Sequence, residues 1–312
     1  MSRIHEALKK AEQERSLAQS TDTDATPVDD GVIGERWSID SPEFAVESPI
    51  RVQEQTTAAP PIEYLRFDDL QERCSRPQWN LDPNSNVFLN TDLSPHGAEQ
   101  FRTLRSRLYQ LRSSQTLRTV LITSSVPTEG KTFVTNNLAQ AIVRQPDRRA
   151  LIIDADLRCA RLHVPLGAPS SPGLTDYLRG DADETSVVQH GPEGNLCFIP
   201  GGSEVANPSE LLSNGRLKKL LDRLAPVFDW VLFDSPPCLP VADASILAEF
   251  CDGVILVVKA GSTPAELAQK ACQELSGRNL LGVVLNSCDK SDSYNSYYYE
   301  SYGYVQNPNG SR

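Results

Sequence analysis

Residues 119–142 read TVLITSSVPTEGKTFVTNNLAQAI. A six-residue apolar, β-branched run comes first, then a polar loop, then an amphipathic stretch of helical length. The loop closes on Gly130-Lys131-Thr132, the second half of the G-x-x-x-x-G-K-[ST] phosphate loop. In such a loop backbone N–H groups turn inward around phosphate, the glycine lets the chain approach, the lysine reaches phosphate oxygens and the hydroxyl faces a divalent cation. Ser125 stands where the motif usually has its first glycine, so the pattern alone is incomplete and the strand–loop–helix context carries it.

Two further strand ends bring carboxylates. The run LIIDADLR (151–158) delivers Asp154 and Asp156, two residues apart and so on the same side, with Arg158 at the same spacing. The run WVLFDSPP (230–237) delivers Asp234 in the same way. Taken singly, each aspartate reads as a helix N-cap or a turn residue. Three of them at strand ends in a chain with a G-K-T loop point instead to Mg²⁺ and its waters, or to a base that takes a proton from an attacking hydroxyl.

From about residue 86, short apolar runs alternate with helical stretches. Strands are predicted at 119–124, 150–156, 196–200, 230–235, 253–258 and 282–286, with helices near 131–145, 173–179, 208–225, 242–250 and 264–276. Another helix precedes the first strand, with Phe101, Leu104, Leu108 and Leu111 on one stripe. All-apolar strands of this kind suit a sheet covered on both faces, so the fold class is α/β: a doubly wound, mostly parallel sheet with its ligand at the carboxyl ends of the strands.

The flanks differ. SRIHEALKKAEQER (2–15) puts Ile4, Ala7, Leu8 and Ala11 on one narrow stripe, which reads either as a fraying terminal helix or as a partner-docking segment. Residues 17–85 are rich in Ser, Thr, Asp, Glu and Pro without sustained periodicity and are predicted to be a disordered tether. The expected organisation is a helix at 1–16, a linker at 17–85, a phosphate-loop α/β domain at 86–290 and a tail at 291–312. That tail holds Tyr294, Tyr297, Tyr298, Tyr299, Tyr302 and Tyr304, six of the nine tyrosines in the chain, spaced by polar residues with no period that would bury them.

Composition closes off several classes. The longest apolar run, VILVV at 254–258, is far below the roughly eighteen residues of a membrane span, and the N-terminus has no apolar signal core. Seven scattered cysteines without a C-x-x-C pair fit reduced thiols in a cytosol. A formal charge of −11 argues against a general nucleic-acid grip.

Three signatures together resemble the bacterial tyrosine kinases of capsule and exopolysaccharide synthesis, which modify the MinD/ParA type of P-loop ATPase fold. They are a Walker A (SVPTEGKT), a Walker A′ of apolar residues then D-x-D-x-R (LIIDADLR) and a Walker B of apolar residues then D-x-P (VLFDSPP). Similarity extends over EQFRTLRSRL, GLTDYLRG, NPSELL, PVADASILAEFCDGVILVV and LLGVVLN, roughly residues 95–290. The resemblance implies ATP and Mg²⁺ as cofactors, with Ser125, Pro127, Thr128, Glu129, Gly130, Lys131, Thr132 and Phe133 around the nucleotide and Asn286 at the adenine. It implies Thr132, Asp156 and Asp234 for the metal, and Asp154, Lys131 and Arg158 for catalysis, Asp154 taking the tyrosine proton. On the residues alone, Asn286 equally closes a turn.

The resemblance further implies that Glu99, Arg102 and Arg105 build a homo-oligomeric ring, that the tail tyrosines are the phosphoacceptors, and that phosphorylation releases the ring. A Glu–Arg pair within one solvated helix face is the alternative for that triplet. The implied partners are a separate transmembrane polysaccharide co-polymerase acting as modulator, a cognate tyrosine phosphatase and sugar-nucleotide enzymes as further substrates. The implied location is the cytoplasm, at the inner face of the plasma membrane. Two rivals remain: a positioning ATPase of the MinD/ParA type, whose signature lysine is replaced here by Val126, and a non-catalytic ATP-binding adaptor with a sticky tail.

Overall fold

The computed structural model describes residues 65–89, 95–192 and 195–288. The stretch 1–16, the tether up to residue 64 and the tyrosine-rich stretch 291–312 lie outside the described residues. Among the described residues seven strands form one sheet: β1 (Thr119–Ser124), β2 (Ala150–Asp154), β3 (Gln189–His190), β4 (Leu196–Ile199), β5 (Trp230–Asp234), β6 (Gly253–Lys259) and β7 (Leu280–Asn286). Their order is β3-β4-β2-β5-β1-β6-β7. All pairings are parallel except β3 with β4.

Strand alternation divides the core into two layers. Leu121, Leu151, Ile153, Val231, Phe233 and Leu256 pack into one, and Val120, Ile122, Ile152, Trp230, Leu232 and Val257 into the other. Neither face of the central strands meets water, which is why these segments read as unbroken apolar runs. The helices are α1 (Phe67–Arg73), α2 (Pro95–Arg112), α3 (Lys131–Val143), α4 (His163–Leu166), α5 (Leu174–Arg179), α6 (Glu184–Val187), α7 (Pro208–Leu212), α8 (Arg216–Leu224), α9 (Asp243–Ala248) and α10 (Ala265–Glu274). The doubly wound, mostly parallel arrangement is the one expected.

Three expectations need correction. The helix expected over 208–225 is two: Gly215, at φ 78°, sits between α7 and α8, and Asn214 donates its side-chain amide to the Leu178 carbonyl at 2.9 Å. The left-handed residue ends one helix and restarts the chain at an angle. After it, Leu217, Leu220, Leu221 and Leu224 are all buried, the i, i+3, i+4, i+7 stripe of a helix lying on a core. The two-residue strand β3 was not anticipated, since two residues carry no period.

The third correction concerns the domain boundary. Residues 65–85 do not behave as tether, because Phe67, Leu70, Cys74 and Trp79 are buried. Phe67 meets Phe228 edge-on at 5.7 Å, and Trp79 meets Phe198 at 6.0 Å. Ser75 forms a parallel bridge to Gln189 on β3. From α3, Asn137 accepts the Val87 N–H at 2.9 Å and donates to the Ser85 carbonyl at 3.0 Å, so a buried amide pins the chain that leads into the domain. Apolar residues scattered among charges hid this strap. If it belongs to the domain, Phe67→Ala should lower stability by about 3 kcal/mol, in the range for a truncated core aromatic. Urea unfolding checks this; an unchanged midpoint would return residues 65–85 to the tether.

Candidate active site

Lys131 opens α3 directly after β1, and its loop is built from its own backbone. Thr128 (φ 67°) and Gly130 (φ 96°) both sit in the left-handed region, so successive N–H groups turn toward a common centre. At Gly130 the shape is obligatory, because an added Cβ would lie 2.0 Å from Asn286 Nδ2. Pro127 and Thr128 are exposed at the loop tip, whereas Ser125 is fully buried with its hydroxyl unpartnered.

Glu129 and Asn286, expected around the nucleotide, make contacts within the loop and to the strand ends beside it. The Glu129 side chain is buried; it accepts the Val126 N–H at 2.7 Å and the Thr263 hydroxyl. Asn286, the last residue of β7, donates its amide to the Glu129 carbonyl at 2.8 Å. Both brace the loop against the ends of β6 and β7. Phe133 likewise packs inward, its ring 5.9 Å from Phe101 of α2. Thr263 is a loop residue that sequence reasoning missed, since nothing local links it to a segment 134 positions earlier.

The carboxylates converge as expected. The parallel register pairs Asp154 of β2 with Asp234 of β5, and Asp234 with Ile122 of β1. Lys131 Nζ lies 2.8 Å from Asp156 Oδ2, and the Thr132 hydroxyl donates to Asp234 Oδ2 at 2.6 Å. Asp154 has no exposed surface; one oxygen accepts the Leu162 N–H at 2.8 Å and the other, Oδ1, has no partner. Burial, with the Asp234 and Asp156 charges behind it, holds Asp154 well above the ordinary carboxylate range. Burial pushes Asp234 up to about 6 against the pull of Lys131. Burial alone would weaken the Lys131 ammonium, but the Asp234 and Asp156 charges outweigh it and keep the ammonium fully charged.

Arg158 is engaged elsewhere. Its guanidinium forms a two-pronged pair with the buried Asp243 of α9, at 2.7 and 3.0 Å, and donates to the Ser209 hydroxyl at 3.1 Å. Ser209 in turn donates to Asp243 at 2.5 Å. This ties the loop after β2 to α7 and α9, a fixed framework for Asp154 and Asp156. Of the ring triplet, Glu99 and Arg102 pair at 2.7 Å on the exposed face of α2. Arg105 instead donates to the Ala141 carbonyl of α3 within its own chain.

The residues fit a magnesium nucleotide. Three carboxylates face one ammonium, the donors are oxygens of the type Mg²⁺ prefers, and the unpartnered Ser125 hydroxyl lines an N–H-rich loop. Fold and site together define a P-loop nucleotide-binding domain of the doubly wound class. Residues 121–281 match the family model described as cellulose biosynthesis protein BcsQ. Tyrosine-protein kinase YwqD of Bacillus subtilis is 35% identical over 216 residues, covering 69% of this chain and 90% of that one. Tyrosine-protein kinase etk of Escherichia coli is 36% identical over 209 residues, covering 66% of this chain but only 29% of that one. The solved kinase domain of Escherichia coli tyrosine kinase ETK superposes with a TM-score of 0.61 at 31% identity, covering 72% of this chain and 87% of that one. The chain belongs to the bacterial tyrosine-protein kinase family.

The buried carboxylates have a pH signature. Asp154 and Asp234 hold their protons more tightly folded than unfolded, so their stabilising contribution is full below the ordinary value near 3.8 and is lost as pH rises through the folded values. Nucleotide-free Asp154→Asn should therefore melt higher than the parent at pH 8.5, by a margin that shrinks toward pH 5. A parent protein that melts higher at both pH values would contradict the buried-charge account.

Proposed function

We propose that this chain is an ATP-dependent protein-tyrosine autokinase that phosphorylates tyrosines of its own C-terminal stretch, between subunits. The observation that carries the reading is Asp154: a buried carboxylate with a free oxygen, beside the phosphate-loop lysine and two further aspartates. When bound, Mg²⁺-ATP supplies the phosphoryl group to be transferred. The backbone N–H groups around Thr128 and Gly130, with the Lys131 ammonium, hold the phosphates and orient the terminal one. Thr132, Asp156 and Asp234 hold Mg²⁺ and its waters. Mg²⁺ commonly keeps several waters and shares substrate phosphate oxygens, which would suit so small a set of protein oxygens.

Asp154 Oδ1 would receive the phenol proton as the phenol oxygen bonds to the terminal phosphorus and the bond from that phosphorus to the β–γ bridging oxygen breaks, releasing ADP. A phenol of pKa about 10 is a weak nucleophile at neutral pH, and a carboxylate whose basicity is raised by burial is better matched to it than an ordinary one. The acceptors are Tyr294, Tyr297, Tyr298, Tyr299, Tyr302 and Tyr304. Tyr294 lies six residues beyond Cys288, roughly 20 Å of extended chain, a span that suits transfer to a neighbouring subunit.

Glu99 and Arg102 on the exposed face of α2 suit a subunit contact. Among the described residues no helix is long and apolar enough to cross a membrane, and a transmembrane modulator of polysaccharide synthesis is the proposed partner, with 1–16 as its docking segment. The adaptor reading does not account for three aspartates held together against their mutual repulsion. The positioning-ATPase reading lacks its lysine: Val126 stands there, its N–H spent on Glu129.

Incubation with Mg²⁺-ATP, with and without a modulator fragment, followed by mass spectrometry, should place phosphate on residues 294–304. Asp154→Asn should slow transfer by about 10²–10⁴-fold, the usual worth of a positioned base, while nucleotide affinity changes little. Lys131→Ala should abolish transfer. Phosphotyrosine absent under every condition, or undiminished in Lys131→Ala, would overturn the kinase reading.

A further inference from the structure

At the opposite end of the sheet from the phosphate loop, the segments leading into β1, β2 and β5 enclose a cleft of about 250 Å³. Arg112, Arg118 and Arg149 line it, with Asp147, Asp229 and Phe228. Each arginine is half-buried and none is paired with a carboxylate among the described residues. Arg112 spends one N–H on the Asp229 carbonyl at 2.8 Å, and Arg118 spends one on the Ala225 carbonyl at 3.2 Å. Arg149 lies over the Phe67 ring at 4.2 Å. Asp229 is already taken, by Arg148 at 3.0 Å and by the Arg149 N–H at 3.0 Å. That leaves Asp147 as the lining carboxylate against three guanidiniums.

Three convergent, uncompensated arginines are out of character in a chain of formal charge −11. Their packing holds the heads in place: the Arg149 and Arg112 guanidiniums lie over the Phe67 and Trp230 rings, and Arg112 and Arg118 each give one N–H to a backbone carbonyl, so most of their N–H donors have no protein partner among the described residues. Planar guanidinium forks match the oxygens of a phosphate monoester, and their faces accept an aromatic ring. We propose that this cleft is a second, non-catalytic site for a phosphate monoester, and that its ligand is phosphotyrosine from the 293–304 segment of another copy of this chain. The ligand's origin rests on the kinase reading; the cleft's chemistry does not.

The cleft and the phosphate loop lie at opposite ends of β2 and β5, five residues of strand or roughly 16 Å apart, so the two sites are distinct. A phosphorylated tail then has an attractive station away from the acidic centre that made it. Tyr304 lies sixteen residues past Cys288, so the segment has roughly 55 Å of extended reach.

The test uses full-length protein without ATP and a synthetic, fluorescein-labelled peptide of residues 293–304 phosphorylated at Tyr298 and Tyr299, read by fluorescence anisotropy. The phosphopeptide should bind at least tenfold more tightly than its unphosphorylated form. Arg149→Gln and Arg118→Gln should each weaken it about tenfold, and Arg149→Lys should recover only part of the loss. Phenyl phosphate should displace it at lower concentration than inorganic phosphate. Melting curves for each variant show whether a loss is local, and Lys131→Ala should bind as the parent does. Equal binding of both peptides, folded arginine variants that bind unchanged, equal displacement by inorganic phosphate, or binding lost in Lys131→Ala would each overturn the assignment. Since the peptide is made chemically, binding with no kinase activity would leave the cleft standing and remove the kinase reading alone.

Discussion

The Lys131 ammonium, paired with Asp156 at 2.8 Å and under the charge of Asp234 and Asp154, sits against three carboxylates that the sheet forces together. Parallel pairing puts Asp154 and Asp234 directly opposite one another on adjacent strands, and Asp156 follows within one turn of chain. Neighbouring strands lie about 4.8 Å apart, so their repulsion cannot relax without breaking the register. The register in turn is set by the alternation that sends Ile152 and Leu232 to one core layer and Ile153 and Phe233 to the other. A one-residue slip would exchange every one of these side chains between layers. The apolar core therefore holds an electrostatically unfavourable centre in place, and one lysine does not neutralise it. What remains is an acidic, oxygen-lined site matched to a divalent cation and phosphate.

The same constraint explains why the phosphate loop is braced so heavily. A loop of inward N–H groups next to buried carboxylates has no reason to hold its shape by itself. Glu129 closes on Val126 within the loop and on Thr263 beyond β6, while Asn286 from the end of β7 fills the space that Gly130 leaves. The carboxyl ends of β1, β6 and β7 thereby share the task of presenting one lysine. Arg158, tied to Asp243 and Ser209, does the corresponding work for the loop after β2.

Much of this was legible in the sequence. The unbroken apolar strands announced a sheet covered on both faces, and the aspartates at their ends were placed correctly because strand ends in a parallel sheet have only one side on which to converge. What was not legible had no local signal. Residues 65–85 join the domain through Phe67, Trp79 and a bond from Asn137, partners that lie far along the chain. The bracing bonds of Glu129 and Asn286 were not legible either, because a motif records position and not the direction a side chain takes. Arg105 shows the same gap: its spacing from Glu99 and Arg102 suggests one shared face, yet it reaches back to Ala141.

Charge is distributed along the strands in a way the net value hides. The carboxyl ends of β2 and β5 carry the aspartates, and the segments entering β1, β2 and β5 carry Arg118, Arg149 and the Arg112 that reaches them from α2. Each end is locally unbalanced and of opposite sign. Under the proposed autokinase reading, each phosphate would add about −1.5 to −2 to the tyrosine-rich stretch, a charge that the acidic end would repel and the arginine-lined end would attract. The two ends of the sheet would then treat a phosphorylated segment differently, through side chains that the fold fixes before any nucleotide binds.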